Sequence, residues 1–182
     1  MIRKRTTREL LSESLHDLAK IKSIDKITVK EIAENCGVSK ATFYNYFQDK
    51  YDLINWIYNY QLHNVLDEYA KKNISWKNVL NQLINILNND KTYFRNALKN
   101  TFGPNSFYIS ASQETMDWLI NLLKERYPEQ LDDEIVFDIK CYISGLSFIV
   151  TRWYLNQSNY SVKELVQYAT NAIPEKLKMY LK

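Results

Sequence analysis

Apolar residues recur along almost the whole chain at steps of three and four, the spacing of one helical face. Leu11, Leu15, Leu18 and Ile21 mark a first helix over residues 6–22, opened by a Thr6–Glu9 capping box. Val29, Ile32, Ala33 and Cys36 mark a second, opened by Thr28 with Glu31 three residues on. Gly37 ends it, because glycine enters the left-handed cap conformation without steric cost, and Val38 stands where the apolar contact of such a cap folds back. Ser39 caps a short third helix whose inward residues are Phe43 and Phe47. Asp49 caps a long helix over residues 50–72. Its apolar positions run from Leu53, Ile54, Ile57 and Tyr60 through Leu62 and Val65 to Leu66 and Tyr69. They cover a wide arc, which suits an element anchored in two parts of the protein and able to pass a shift from one to the other.

The same periodicity predicts helices over residues 76–88, 91–101 and 107–126, with Gly103-Pro104-Asn105-Ser106 as the clearest turn. The helix over 130–157 carries Ile139, Ile143, Leu146, Val150 and Trp153 at alternating steps of four and three. That is a heptad seam, suited to a nearly parallel or antiparallel partner helix. Gly145 in this helix costs roughly 1 kcal/mol relative to alanine, and close approach of a second helix would compensate. Ser161 and Glu164 cap the last helix, over 161–173, and Pro174 halts or kinks it. The expected fold is all-α with about nine helices. A three-helix domain occupies residues 1–48 and a helical bundle domain residues 49–182. The last two long helices are expected to meet their copies in a homodimer. The alternative is that the seam is simply the monomer's own core.

Composition narrows the chemistry. Three Gly and three Pro in 182 residues fit long helices with few turns, and the isolated glycines at 37, 103 and 145 make no phosphate-cradling loop. Cys36 and Cys141 fall in apolar helical patterns, so a reducing cytoplasm is expected rather than a disulfide framework or a cysteine metal site. The N-terminus is basic, but no apolar run follows it, so neither a signal peptide nor a membrane span is expected. His16 reads as a boundary residue and His63 as a structural one. No nucleophile–base pair, metal-ligand cluster or cofactor fingerprint stands at a recognisable spacing, so no enzyme activity, metal or cofactor is expected.

The formal net charge is +3. Residues 1–50 hold ten Lys and Arg against seven Asp and Glu, so the whole excess lies there. Arg3, Lys4, Arg5 and Arg8 open the chain with no acid until Glu9. Such an arm either follows DNA phosphates or enters a minor groove, or it is a solvated terminus.

In the short third helix the small core leaves Lys40, Ala41, Thr42, Tyr44, Asn45 and Tyr46 outside, with Lys50 just beyond. A helix of this kind fits a major groove with its first residues reaching base edges. The spacing equally describes an ordinary helical hairpin with a solvated face. Residues 7–57, and above all TVKEIAENCGVSKATFYNYFQDKYDLI, resemble the DNA-binding domain of the TetR family of transcriptional regulators. They share its helix, glycine turn, recognition helix, Tyr-x-aromatic-Phe ending and following lysine. The resemblance implies an all-helical homodimer on a palindromic operator. By position it places Lys40, Ala41 and Thr42 against bases, Tyr44, Tyr46 and Lys50 on phosphates, and Thr28 at a helix start facing the DNA backbone. Two positions depart from the family: Ser23 stands where glycine is usual after the first helix, and Tyr46 where histidine is frequent.

Together these features predict a sequence-specific double-stranded-DNA regulator that sets residues 39–46, Ser39 included, in the groove. Thr42 has a methyl for thymine, and Asn45 can pair with adenine. The expected role is a repressor released from its operator by a small-molecule or protein effector. Tyr93, Phe94, Phe107, Trp118 and Tyr142 are the candidate effector lining, although aromatic residues at helical spacing are usually core. ISGLSFIVTRWYLNQS further resembles a Firmicute subgroup that includes activators of dihydroxyacetone kinase operons. The alternatives are therefore an activator of a metabolic operon controlled by a protein partner, or a helical interaction module without DNA binding.

Overall fold

The computed structural model describes residues 5–181, so Arg3 and Lys4 of the basic arm lie outside the described residues. Among those described are nine α-helices and no strand. They are α1 (Thr7–Ile21), α2 (Val29–Asn35), α3 (Lys40–Tyr44), α4 (Lys50–Ala70), α5 (Trp76–Asn89), α6 (Lys91–Asn100), α7 (Phe107–Arg126), α8 (Asp133–Tyr154) and α9 (Val162–Asn171). Single 3-10 turns stand at Ile24–Lys26, Gly103–Asn105 and Glu175–Leu177. The capping boxes expected at Thr6, Thr28 and Ser161 all form, each with its glutamate three residues on. At the end of α2, Gly37 takes φ +74°, its N–H donates to Glu34 O and that of Val38 to Ala33 O, which together make a Schellman cap. α4 and α8 end on left-handed residues too, Lys72 and Asn156, both at φ 61°.

The chain forms two compact units. The first comprises the chain up to Tyr58 together with Asp90–Phe107. Its core holds Leu11 and Leu15 of α1, Ile32 of α2, Phe43 of α3 and Leu53 and Ile54 of α4, all buried. α6 packs on α1. Phe94 of α6 stacks on Phe107 with centroids 5.9 Å apart, and the Tyr58 ring meets both edge-on. The buried Ser14 hydroxyl donates to Ile32 O at 2.7 Å, joining α1 to α2.

The second unit comprises Asn59–Asn89 and the chain from Tyr108 onward. Here α5 packs on α9. The Tyr142 hydroxyl of α8 binds them together: it accepts from Trp76 Nε1 at 3.3 Å and donates to Ala169 O at 2.9 Å. Burial pushes this phenol up to about 12. Tyr69 packs edge-on against Trp76 and donates to Tyr180 O. His63 of α4 pairs with Glu114 of α7 at 2.8 Å.

α8 carries two apolar stripes rather than one. Ile139 and Ile143 are buried, and Leu146, Val150 and Trp153 are half-buried, so the heptad seam faces the protein's own core. On the opposite side, Phe137 is 64% exposed, Phe148 53% and Ile149 43%, with Cys141, Gly145 and Arg152 exposed among them. A Cβ added to Gly145 would meet nothing within 4 Å, so the close approach expected at this glycine does not occur within the chain. Among the described residues no helix is long and apolar enough to cross a membrane.

Candidate nucleic-acid interface

The short α3 exists because Ser39 caps it, its hydroxyl accepting from Thr42 N at 3.0 Å, and because Phe43 anchors it in the core. Phe43 and Phe47 point inward as their spacing required, with Phe47 against Trp56 at 5.8 Å. Left outside are Ser39, Lys40, Ala41, Asn45, Tyr44 at 50% exposure and Tyr46 at 40%, while Thr42 is half-buried. The outer side of α3 therefore lies open over its whole length. Lys40 Nζ sits over the Tyr44 ring, 5.7 Å from its centroid. The Arg8 guanidinium of α1 sits over the Tyr46 ring at 6.0 Å. Arg5, by contrast, is paired with Glu13 at 2.8 Å.

Thr28 is exposed at the start of α2, and its hydroxyl and backbone N–H both engage Glu31. Lys22 donates to the same carboxylate at 2.6 Å. The Lys22 hydrogen bond, joined by those from Thr28, holds the Glu31 carboxyl down to about 2.

Lys50 has a different setting from the exposed residues of α3. Its ammonium donates to the carbonyls of Ile24, Asp25 and Ile27 at 2.8, 2.7 and 2.8 Å, which employs all three of its N–H groups. Burial lowers its pKa from the ordinary lysine value. The turn it holds is the one that contains Ser23. No left-handed residue is used there: Lys22 and Ser23 are both extended.

Asn96 of α6 completes that turn, and nothing in the local sequence pattern singles it out. Its amide accepts from Ile24 N at 2.9 Å and donates to Ala19 O and Lys22 O, both at 2.8 Å. Asn100, one helical turn on, donates to the Asn96 amide oxygen at 2.8 Å and so fixes its orientation. The connection into the helix-turn-helix is thus fastened from two sides, by the first residue of α4 and by α6. His16 adds a further tie between α1 and the start of α6. It bonds Asp90 through Nδ1 at 2.6 Å and stacks on Tyr93 with centroids 4.0 Å apart. Burial lowers the His16 pKa against the opposing pull of Asp90.

The five aromatic residues expected to line an effector site fall in two separate cores. Tyr93, Phe94 and Phe107 are buried in the first unit. Tyr142 is buried in the second, where Trp118 is half-buried beside Tyr69 at 6.4 Å.

Comparison with known proteins bears on both halves of the chain. Residues 16–57 match the family described as "Bacterial regulatory proteins, tetR family". Residues 74–175, more than half of the chain, match "Transcriptional regulator C-terminal region". The HTH-type dhaKLM operon transcriptional activator DhaS of Lactococcus lactis is 24% identical over 89 residues, 49% of this chain and 47% of that protein. The match thus spans about half the length of that curated relative. In fold the chain is similar to the solved dihydroxyacetone kinase operon activator DhaS, with a TM-score of 0.66 at 18% identity, covering 97% of this chain and 98% of that one. It is also similar to the fatty acid degradation regulator FadR from Bacillus halodurans, with a TM-score of 0.63 at 17% identity, covering 97% and 99%.

Proposed function

The chain belongs to the TetR family of bacterial regulatory proteins, and on that premise we propose that it reads a palindromic operator as a homodimer, through residues 39–46 of each subunit. As a member of that family it is a DNA-binding transcriptional regulator and not an enzyme. The observation that carries the reading is the open outer side of α3, held over a core that uses only Phe43 and Phe47. Lys40, Ala41, Thr42 and Asn45 choose the sequence, Tyr44 seats the helix on the DNA backbone, and Thr28 faces it from the start of α2. Lys50 acts from behind, by fastening the turn before α2.

The exposed stripe of α8 from Phe137 to Arg152, with Tyr160 and Tyr168, supplies the dimer surface. An apolar row of this length on a helix is unusual to leave in water, and a second copy covers it most simply. Two-fold symmetry then spaces the half-sites by about one helical turn of DNA or a multiple of it. An effector, acting in the cytoplasm through the second unit, changes operator affinity by roughly 5–150-fold, the usual range of such coupling.

Release from the operator on effector binding makes the protein a repressor. The likeness to DhaS, a named activator in both sequence and fold comparisons, favours activation as the second reading. Selection of bound duplexes from random DNA tests the common core of both: an inverted repeat is expected. A consensus with no inverted pair would overturn the palindrome and the symmetric dimer on it. A promoter fusion carrying the selected site then gives the direction.

A further inference from the structure

Lys50 spends its three N–H groups on carbonyls, so the cations placed on the open face of α3 must come from elsewhere. Two are held there in the same manner. Lys40 stands over Tyr44 at the beginning of the recognition segment, and Arg8 over Tyr46 at its end. Arg8 reaches that place from another helix, since it is the second residue of α1. A cation at this point of a helix opposes the macrodipole and gains the helix nothing. It is exposed, whereas its neighbour Arg5 is neutralised by Glu13. A guanidinium held over a ring makes no hydrogen bond to it, and its planar fork of N–H groups suits a phosphate in two parallel hydrogen bonds. An aromatic ring also fixes a long side chain that would otherwise lose rotamer entropy on binding.

We propose that Arg8 is a DNA-phosphate contact of this protein and that Tyr46 is its positioning residue, acting through its ring rather than through its hydroxyl. The assignment rests on the DNA-binding reading and adds a contact from α1 to a surface otherwise made by α2 and α3.

The test is a salt titration of the full-length protein on a mixed-sequence duplex of about thirty base pairs, long enough for three turns of DNA. The variants are Arg8→Ala, Arg8→Lys, Tyr46→Phe, Tyr46→Leu and the Arg8→Ala/Tyr46→Leu pair. Losing one phosphate contact lowers the slope of log affinity against log salt by about 0.9 for each head. Arg8→Ala is expected to show that loss, with Arg8→Lys keeping the slope. Tyr46→Phe should bind as the unsubstituted protein does, and Tyr46→Leu should weaken binding. The pair should be no weaker than Arg8→Ala alone, because the ring has nothing left to position. An unchanged slope in Arg8→Ala overturns the phosphate contact. A Tyr46→Phe loss equal to that of Tyr46→Leu, or additivity in the pair, overturns the positioning role. Should Tyr46→Leu unfold the first unit, the Arg8 variants still decide the phosphate contact, and a Tyr46→Phe variant that binds more weakly than the unsubstituted protein overturns the role of the ring without its hydroxyl. If the unsubstituted protein shows no salt-dependent DNA binding, the DNA-binding reading falls first, a result distinct from failure in the variants alone.

Discussion

Three side chains decide how firmly α1 is joined to the helices that follow it. Replacing Asn96 with alanine strands one N–H and two carbonyls that the chain otherwise satisfies, at a cost of roughly 1–3 kcal/mol. Urea unfolding of the full chain should show the lower midpoint, and an unchanged midpoint would mean that water replaces the amide freely. Lys50→Ala should likewise lower the unfolding midpoint, while the salt slope of DNA binding stays as it was. A fall of about 0.9 per head would instead return that ammonium to a phosphate. His16 makes stability depend on pH. Its pKa is depressed from 6.5, chiefly by burial, with Lys20 depressing it further and Asp90 and Asp17 opposing. The unfolded chain therefore takes up this proton more readily than the folded one. The His16 contribution is complete above 6.5 and is lost as pH falls through 6.5 toward the lower folded value. His16→Gln should flatten the pH dependence of the thermal midpoint over that interval. The Glu31 carboxylate contributes in a separate window, lost as pH falls from 4.5 toward about 2.

Among the elements, helix ends are where local chemistry speaks most plainly. Gly37 holds φ +74° with open space where a Cβ would stand, so alanine there meets no clash and pays only for the left-handed backbone, about 1–2 kcal/mol. The opposite change at Lys72, where a lysine occupies the same conformation, should raise stability by about 0.5 kcal/mol once the extra freedom of unfolded glycine is counted. Chemical denaturation of each variant measures both. Capping boxes, the Gly37 stop and the inward pair Phe43 and Phe47 were legible because each depends on residues within a turn or two of one another. The clamp on the Ser23 turn was not legible. Asn96 meets Ile24 across 72 positions, and only the packing of α6 on α1 brings them together. Periodicity also left α8 ambiguous: a helix with two apolar stripes has two seams, and Ile139 and Ile143 reveal by their burial which one the chain keeps for itself.

For the whole molecule, the outer stripe of α8 is the place to test assembly. The proposed homodimer should sediment as twice the 21.7 kDa chain, and Phe148→Asp should return it to a single chain with helical content unchanged. Gly145→Ala adds a Cβ that meets nothing within 4 Å in the isolated subunit, so a weakened dimer in that variant would place the partner helix close against this glycine. The first unit has a further consequence for how such a regulator is made and altered. Its core is drawn from two stretches of chain, with Tyr58 closing on Phe94 and Phe107. During synthesis the DNA-reading end therefore waits, incomplete, until residues 59–89 and then α6 have emerged from the ribosome. A chimaera spliced after Tyr58 would inherit an unfinished core, so transplanting this operator specificity to another regulator means carrying α6 along with it.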